Sequence, residues 1–489
     1  MNLRELCNAA NIECGYCDID IKNVKSNSGQ IEKGDLFVCV EGLNTDGHRY
    51  VKEAEKRGAA AIIAQRETES RLPTVYAPNT KKALARLCDA VNGFPSKKLK
   101  LVAVTGTNGK TTVTHLLRNI FEASMYKTGL IGTVGAYSQD CKIEIVGKDP
   151  LANMTTPDPE ELYFILGEMA KDGVEFVFME ASSHALAQNK LDGLRFEAAV
   201  FTNLTPEHLD FHGTMEDYYA AKASLFKMAE HKIVNADDEY GKRLAREYPG
   251  AIKCSLKRKC CDFFADNVVD NGMDGSEYRL VSRNRHFKVR SHLVGDFNIM
   301  NTLQAAACAS LLGVSPSGIS GAISSLRGVV GRLERVKLDA ITDFKIFIDY
   351  AHTPDALENL LLTVSRSKEC GERIVLLFGC GGDRDKSKRK RMGEIAREYA
   401  DKIIVTSDNS RSEDPENIIA QILEGIGAAE HTVIVNRANA IDHAVKTAQK
   451  GDVILLVGKG HELYEIDKDG RRYFDERKIA AEAARKYFY

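Results

Sequence analysis

The segment Thr105-Gly-Thr-Asn-Gly-Lys-Thr-Thr112 constrains the fold more than any other part of this chain. It follows the short apolar run Leu101-Val-Ala-Val104 and precedes Val113, Leu116, Leu117, Ile120 and Phe121 at helical spacing, which predicts a strand, a tight turn and a helix in succession. Such a turn aims backbone N–H groups and the positive end of a helix at an anion. Gly106, Thr107, Asn108, Gly109, Lys110, Thr111 and Thr112 therefore read as a phosphate cradle. In it, Lys110 would neutralise β- and γ-phosphate charge and the Thr111 hydroxyl would reach Mg2+. The spacing is the shorter G-x-x-G-K-T-T form, because the longer nucleotide loop requires a glycine at 104, where Val104 stands.

A strand, loop and helix of this kind belong in a mostly parallel sheet covered on both faces, and candidate strands at Val174 to Met179, Ala198 to Phe201 and Lys232 to Val234 extend it. The chain of 489 residues has room for about three domains, each with its own core. Residues 1–98, with apolar runs Asp35 to Val40 and Ala59 to Ala64 and a helical pattern from Val51 to Arg57, predict a small α/β N-terminal domain. It ends at the linker-like stretch Asn92-Gly-Phe-Pro-Ser-Lys-Lys98. Residues 99–331 are expected to form a central P-loop parallel-sheet ATPase domain. In residues 332–489, candidate strands Lys345 to Ile348, Ile374 to Phe378, Lys402 to Thr406, Val433 to Val435 and Val453 to Val457 alternate with helical patterns such as Met392 to Tyr399 and Ile418 to Ile426. That alternation predicts a C-terminal Rossmann-like doubly wound domain.

Several classes of function drop out. Lys plus Arg number 67 and Asp plus Glu 69, a net charge of −2, so no global field favours nucleic acid or an anionic membrane. The uncharged stretch Phe297 to Leu326 is broken by Asn298, Asn301, Gln304 and the Gly313/Pro316 pair, which predicts two helices of a soluble protein rather than a membrane span. Glu5 and Glu13 leave no apolar signal-peptide core, and Cys14 with Cys17 is a lone C-x-x-C, so free thiols in the cytoplasm are expected. Gly379-Cys-Gly-Gly-Asp383 follows a strand as a dinucleotide loop would, but Arg384 stands where the third glycine is needed.

The phosphate loop resembles that of the Mur ligase family, and the resemblance continues along nearly the whole chain. It is carried by Met179-Glu-Ala-Ser-Ser-His184, Asn203-Leu-Thr-Pro-Glu-His-Leu-Asp-Phe-His-Gly213, Tyr219-Ala-Ala-Lys222, Gly295-Asp-Phe-Asn-Ile-Met-Asn301 and Gly331-Arg-Leu-Glu334. Further on come Asp349-Tyr-Ala-His-Thr353, Gly379-Cys-Gly-Gly-Asp-Arg-Asp-Lys386 and Gly458-Lys-Gly-His-Glu462. The resemblance implies a cytoplasmic, ATP-dependent amide ligase of peptidoglycan precursor synthesis, and hence a part in cell-wall growth, cell shape and division. Its reaction would join meso-diaminopimelate to UDP-N-acetylmuramoyl-L-alanyl-D-glutamate through an acyl phosphate. L-lysine or another diamino acid is the alternative, as is a different amide ligase of the same superfamily. A folate polyglutamate synthetase would share the ATP machinery but not the first 98 residues, and a P-loop switch would leave Glu180, His208 and Lys222 without a shared task.

By the same resemblance, Lys110, Glu180, His208 and Lys222 are the catalytic positions. Thr111, Glu180, His208 and Lys222 would serve the Mg2+ ions, with Lys222 turned by CO2 into a carbamate, an anionic oxygen ligand where an ammonium would repel the metal. Asn301 is expected at adenine, Arg332 at the phosphates and Asp349 at the ribose. Ser28, Leu43, Asn44 and Thr45 match contacts to UDP, although Asn44-Thr-Asp-Gly47 is equally well explained as a turn. Thr155, Thr156, Ser182, Gln188 and Lys190 match contacts to the muramoyl dipeptide. Arg384, Asp408, Asn409, Ser410, Arg411, Gly458 and Glu462 match contacts to the incoming amino acid. Asn409 and Arg411 favour diaminopimelate, whose second carboxylate a guanidinium can hold by two charge-assisted bonds. The sequence departs from the family pattern at Gly29 and Lys190, where arginine is usual, and at Ser410, where proline is usual. The protein is expected to act as a monomer without a nucleic acid partner.

Overall fold

Five of the six residues of the strand Lys100–Thr105 are buried, so helices must cover both of its faces. The computed structural model, which describes all residues except 17–18, 43–44, 146–153, 283–284 and 489, meets that requirement. The described chain packs into two compact units. The first comprises Met1–Phe264, Ser282–Asn284 and Met300–Ile319, and the second Ala265–Val281, Arg285–Ile299 and Ser320–Tyr489.

In the first unit, an N-terminal parallel sheet runs in the order Val24–Lys25, Leu36–Val38, Ala61–Ala64, Thr74–Tyr76. A second sheet places Lys100–Thr105 between Phe176–Glu180 and Phe196–Phe201, all parallel, with Ala229–Asn235 and Ile252–Ser255 beyond the latter and Thr128–Gly132 beyond the former. The parallel pattern ends where Gly135–Ser138 and then Cys141–Lys142 turn back antiparallel. One apolar core links the two sheets, drawing on Leu3, Leu36 and Leu87 as well as Leu101, Leu166 and Phe201.

The expected linker Asn92 to Lys98 is ordered and packed. Phe94 takes a left-handed φ of 55°, Pro95–Lys97 forms a 3-10 turn, and Ser96 N and Oγ donate to Asp89 at 3.2 and 2.6 Å. Arg86 Nε meets Asp192 at 2.9 Å, and Ser26 Oγ donates to Glu160 at 2.5 Å, tying the first hundred residues to the next hundred. The local composition is that of a connector, but Asp89 satisfies the polar groups of Ser96 in place of water.

In the second unit the order is Glu334–Arg335, Lys345–Asp349, Asp452–Val457, Arg373–Phe378, Lys402–Val405, His431–Val433, parallel except for the first strand. The last strand begins two residues before the expected run Val433 to Val435, because its register against Ile403–Val405, and not its own hydrophobicity, sets its ends. The hairpin Tyr464–Asp467 with Gly470–Tyr473 and the strands Ser276–Ser282 and Arg285–Ser291 were not anticipated, since their charged residues mask a period of two. Phe297 to Leu326, of which Met300–Ile319 belongs to the first unit, holds the helices Asp296–Leu311 and Pro316–Ser325, as expected. Among the described residues no helix is long and apolar enough to cross a membrane, and the described cysteines are free thiols.

Candidate active site

Parallel strands in register deliver their carboxyl ends to one edge, and in the first unit the pairs Val104 with Glu180 and Thr105 with Phe201 bring three loops together. The loop 106–109 turns into the helix Lys110–Ala123 through Gly106 at φ 148° and Gly109 at φ 88°. A Cβ on Gly106 would overlap the Thr202 hydroxyl, and one on Gly109 would stand 2.5 Å from Asn301 Oδ1, so neither position has room for a side chain. Asn203 clamps the loop: its carbonyl accepts from Thr107 N at 2.9 Å, its Oδ1 accepts from Asn108 N at 2.9 Å, and its Nδ2 donates to Asn108 O at 3.2 Å. Thr112 and Asn301 are buried, each on a helix of this unit.

Glu180, 1% exposed, ends its strand with its carboxylate facing the helix. Thr111 Oγ1 donates to its Oε1 at 3.1 Å, as does Thr133 N at 3.0 Å, and Thr133 Oγ1 donates to its Oε2 at 3.1 Å. The Thr111 and Glu180 oxygens thus form the hard, oxygen-rich pair that suits a magnesium ion. His208, with φ 56°, is exposed, and its ring meets the His184 ring at 4.8 Å; no hydrogen bond joins it to Glu180 among the described residues. Burial, followed by the neighbouring histidines, lowers the pKa of His184.

Lys222 is 1% exposed and donates to Gly106 O at 2.7 Å, while Lys110 Nζ donates to the same oxygen at 3.0 Å and to Thr107 O at 2.8 Å. Burial pushes the Lys222 ammonium well below the ordinary lysine value, and the charge of Lys110 adds to the effect. Burial thus favours the neutral amine over the ammonium, and the neutral amine is the form that reacts with CO2.

The residues matched to the UDP-linked substrate are less concentrated. Thr156 Oγ1 donates to Glu180 O at 2.8 Å and lies 3.2 Å from Ser182 Oγ, and Thr155 Oγ1 is 3.1 Å from Thr133 Oγ1, so these three join the Glu180 cluster. Gln188 caps the helix Ser183–Ala187, and Lys190 forms an ion pair with Asp158 at 2.6 Å. The Ser28 hydroxyl is directed to Glu53 at 2.9 Å, and Thr45 is exposed. Leu43 and Asn44 lie outside the described residues. Nearby, Glu41, Asp46 and His48 approach one another as metal ligands could, but the Arg66 guanidinium already bonds both carboxylates.

In the second unit, the register pairs Asp349 and Phe378 with Val457, and Phe378 with Val405, gathering the loops after four strands. Asp349 accepts from Leu333 N at 2.6 Å and Ala351 N at 2.8 Å; burial raises its pKa, and nearby Arg332, whose guanidinium lies 5.0 Å from the Tyr350 ring, opposes the rise. Asn409 Nδ2 donates to Glu462 Oε2 at 2.8 Å. Arg411, at φ 52°, bonds Gly382 O at 2.8 Å and Asn409 O at 3.3 Å through Nη1, leaving Nε and Nη2 directed to neither carbonyl. Burial would raise the Asp408 carboxyl, but Lys459, Arg437 and the Asn409 N–H bring it below its ordinary value. Glu462 has its pKa raised by burial and then by Asp408. Gly458, at φ 119°, lies so close to Asp408 that a Cβ would stand 2.8 Å from its Oδ2. Arg384 is exposed.

Some residues of this site escaped sequence reasoning. Asn203 and Lys459 lie inside quoted motifs and could have been found there. Arg389, fully buried, holds Glu413 with two bonds of 3.0 and 2.9 Å, and Glu413 in turn accepts from Asp383 N at 2.7 Å while its own N–H donates to Ser410 O at 3.0 Å. Arg389 bonding, then the Asp383 N–H, draws the Glu413 carboxyl down to about 2. Nothing local in the sequence marks that pair.

Three family models match the chain: the Mur ligase family catalytic domain over residues 20–92, the Mur ligase middle domain over 104–309, and the Mur ligase glutamate ligase domain over 331–460. A UDP-N-acetylmuramoyl-L-alanyl-D-glutamate–2,6-diaminopimelate ligase of Syntrophomonas wolfei is 40% identical, with 99% of each chain covered. A relative bearing the same description in Clostridium acetobutylicum is 40% identical over 97% of each chain. A solved structure of a ligase with that description superimposes with a TM-score of 0.72 at 30% identity, covering 99% of each chain.

Proposed function

The chain belongs to the Mur ligase family, and on that footing we propose that it joins meso-diaminopimelate to UDP-N-acetylmuramoyl-L-alanyl-D-glutamate at the expense of ATP, acting as a cytoplasmic monomer in peptidoglycan precursor synthesis. A carboxylate does not condense with an amine in neutral water. The D-glutamate carboxylate must first become an acyl phosphate, a step that brings two anions together and needs cations between them. The phosphate loop Gly106–Thr112 binds the ATP phosphates, and Lys110 offsets their charge. Thr111, Glu180 and His208, with Lys222 as its carbamate, would hold Mg2+, which when bound supplies Lewis-acid stabilisation of the transferring phosphoryl group. The oxygen pair at Thr111 and Glu180 and the depressed basicity of Lys222 support that assignment. In this reading Asn301 serves adenine, Arg332 the phosphates and Asp349 the ribose. Ser28, Thr45, Thr155, Thr156, Ser182, Gln188 and Lys190 receive the UDP-linked substrate.

The observation that carries the choice of amino acid is the grouping of Glu462, Asn409 and Arg411 through direct hydrogen bonds. The far end of meso-diaminopimelate bears both an ammonium and a carboxylate. Glu462 accepts from the ammonium, while Arg411 Nε and Nη2 offer the fork that a carboxylate fills. Lysine presents the ammonium alone and leaves the fork unpaired, a loss that discriminates by about 10⁴-fold or more in sites of this type. The stiffness that proline would give at Ser410 is supplied instead by Glu413, whose N–H holds Ser410 O. Asp408, Gly458 and Arg384 complete the pocket in this reading.

The test is phosphate release from ATP with Mg2+, bicarbonate and the UDP-linked dipeptide, run with meso-diaminopimelate and with L-lysine and checked by product mass. Tripeptide with diaminopimelate alone is expected. Product with lysine alone would overturn the choice of amino acid, and no product with either would overturn the reading.

A further inference from the structure

We propose that Lys459 is a positioning residue that sets the diamino-acid selectivity of the pocket by holding the Asn409 side-chain amide in one of its two orientations. The inference rests on the reading of this pocket as the diamino-acid site. A terminal amide is nearly symmetric in shape, and rotation by half a turn exchanges its oxygen for its nitrogen at little steric cost. At Asn409 the two orientations are chemically opposite. Its Oδ1 accepts from Lys459 Nζ at 2.9 Å and from Ile466 N at 3.0 Å, both of them donors only. A flipped amide would present its NH2 to an ammonium and a peptide N–H, losing both bonds, and would turn its oxygen toward the Glu462 carboxylate.

The ammonium is itself held in place. Lys459 is fully buried, and its three protons have three acceptors: Asn409 Oδ1, Tyr464 O at 2.9 Å and Asp408 Oδ1 at 3.4 Å. The chain reaches this point because Gly458, with φ 119°, and Gly460, with φ 54°, bracket Lys459 with conformations suited to glycine and turn its side chain inward. The result is a relay: Lys459 orients Asn409, and Asn409 Nδ2 at 2.8 Å holds the Glu462 carboxylate where the distal ammonium of the substrate must arrive. Lys459 touches no substrate in this scheme; it acts through Asn409.

The experiment is steady-state kinetics of Lys459→Met on the full-length enzyme, with KM measured separately for meso-diaminopimelate, ATP and the UDP-linked dipeptide. The expected result is a rise of at least about tenfold in KM for diaminopimelate, the size of one buried charge-assisted hydrogen bond, with the other two KM values within about twofold. The preference for diaminopimelate over lysine falls with it. Lys459→Gln, which keeps an N–H donor for Asn409 Oδ1, is expected to lie between wild type and Lys459→Met, and it carries the test alone should the methionine variant not fold. In an Asn409→Ala background either substitution is expected to add less than about twofold to the KM for diaminopimelate, because the relay is already cut. Equal rises in all three KM values, full additivity with Asn409→Ala, or an unchanged KM for diaminopimelate would each overturn the proposal while leaving the ligase reading intact. A wild-type enzyme that uses neither diamino acid would overturn both.

Discussion

Lys110 and Lys222 direct their side-chain nitrogens at one atom, the carbonyl oxygen of Gly106, from 3.0 and 2.7 Å. Burial and the charge of Lys110 both disfavour a second cation at Lys222, and carbamylation would place an anion there, opposite Lys110 across the phosphate loop. Lys222→Ala is expected to lower the ligation rate by on the order of 10²- to 10⁴-fold, with partial recovery when a short carboxylic acid is added to stand in for the missing anion. Initial rates of phosphate release check it. Wild-type rates in the variant would remove Lys222 from the machinery.

The same burial carries a stability cost with a definite sign. The folded state holds Lys222 well below the ordinary value of 10.5, so between the two pKa values the unfolded chain binds the extra proton and stability rises with pH. Without CO2, Lys222→Met should therefore be at least as stable as wild type at neutral pH, and its advantage should shrink as pH climbs toward 10.5. Denaturant midpoints across that range test this; an advantage that grows with pH would contradict it.

Gly109 has φ 88°, and a Cβ there would stand 2.5 Å from Asn301 Oδ1. Gly109→Ala must both strain the backbone and push Asn301 aside, at about 1–3 kcal/mol. The expected outcome is a rise of about tenfold in KM for ATP, since 1.4 kcal/mol is a factor of ten. An unchanged KM for ATP would count against this loop as the nucleotide cradle.

Arg411→Lys keeps the charge but gives up the planar fork. The ratio of kcat/KM values for diaminopimelate and lysine is expected to fall by about 10²-fold or more. Competition between the two amino acids, read by product mass, measures the ratio directly, and an unaltered ratio would mean that Arg411 does not read the second carboxylate.

Glu413 is drawn from 4.5 to about 2 by Arg389 and the Asp383 N–H. A depressed carboxylate contributes stability that is complete above the unfolded value and lost as pH falls through the folded one. Glu413→Gln should thus lie furthest below wild type in stability above pH 4.5 and approach it as pH falls toward about 2. Urea midpoints at several pH values decide the matter; a gap independent of pH would show that the charge of Glu413 has no part in holding the loop.

Some of this molecule was legible from residue order because the signals are local. The turn after Val104 needs glycines and a lysine within a few positions, and the helix Val51–Arg57 follows its apolar spacing to the residue. The parallel strands of the second unit read as continuous apolar runs because both of their faces are covered. The packed turn Pro95–Lys97 and the hairpin Tyr464–Asp467 with Gly470–Tyr473 were illegible because their residues are polar: Ser96 is held by Asp89 on the preceding helix, and charged side chains hide the alternation of the hairpin strands.

The sequence by itself determined the chemistry on offer: a phosphate loop, a carboxylate at the end of a buried strand, a lysine in Tyr219-Ala-Ala-Lys222, and a polar loop at Asp408-Asn-Ser-Arg411. Tertiary structure alone decided which of these meet. Lys222 reaches Gly106 across 116 positions, Lys459 reaches Asn409 across 50, and Arg389 reaches Glu413 across 24. No local pattern encodes such pairings, because hydrogen bonds of about 3 Å depend on the register of parallel strands, and register is settled only when the whole sheet packs.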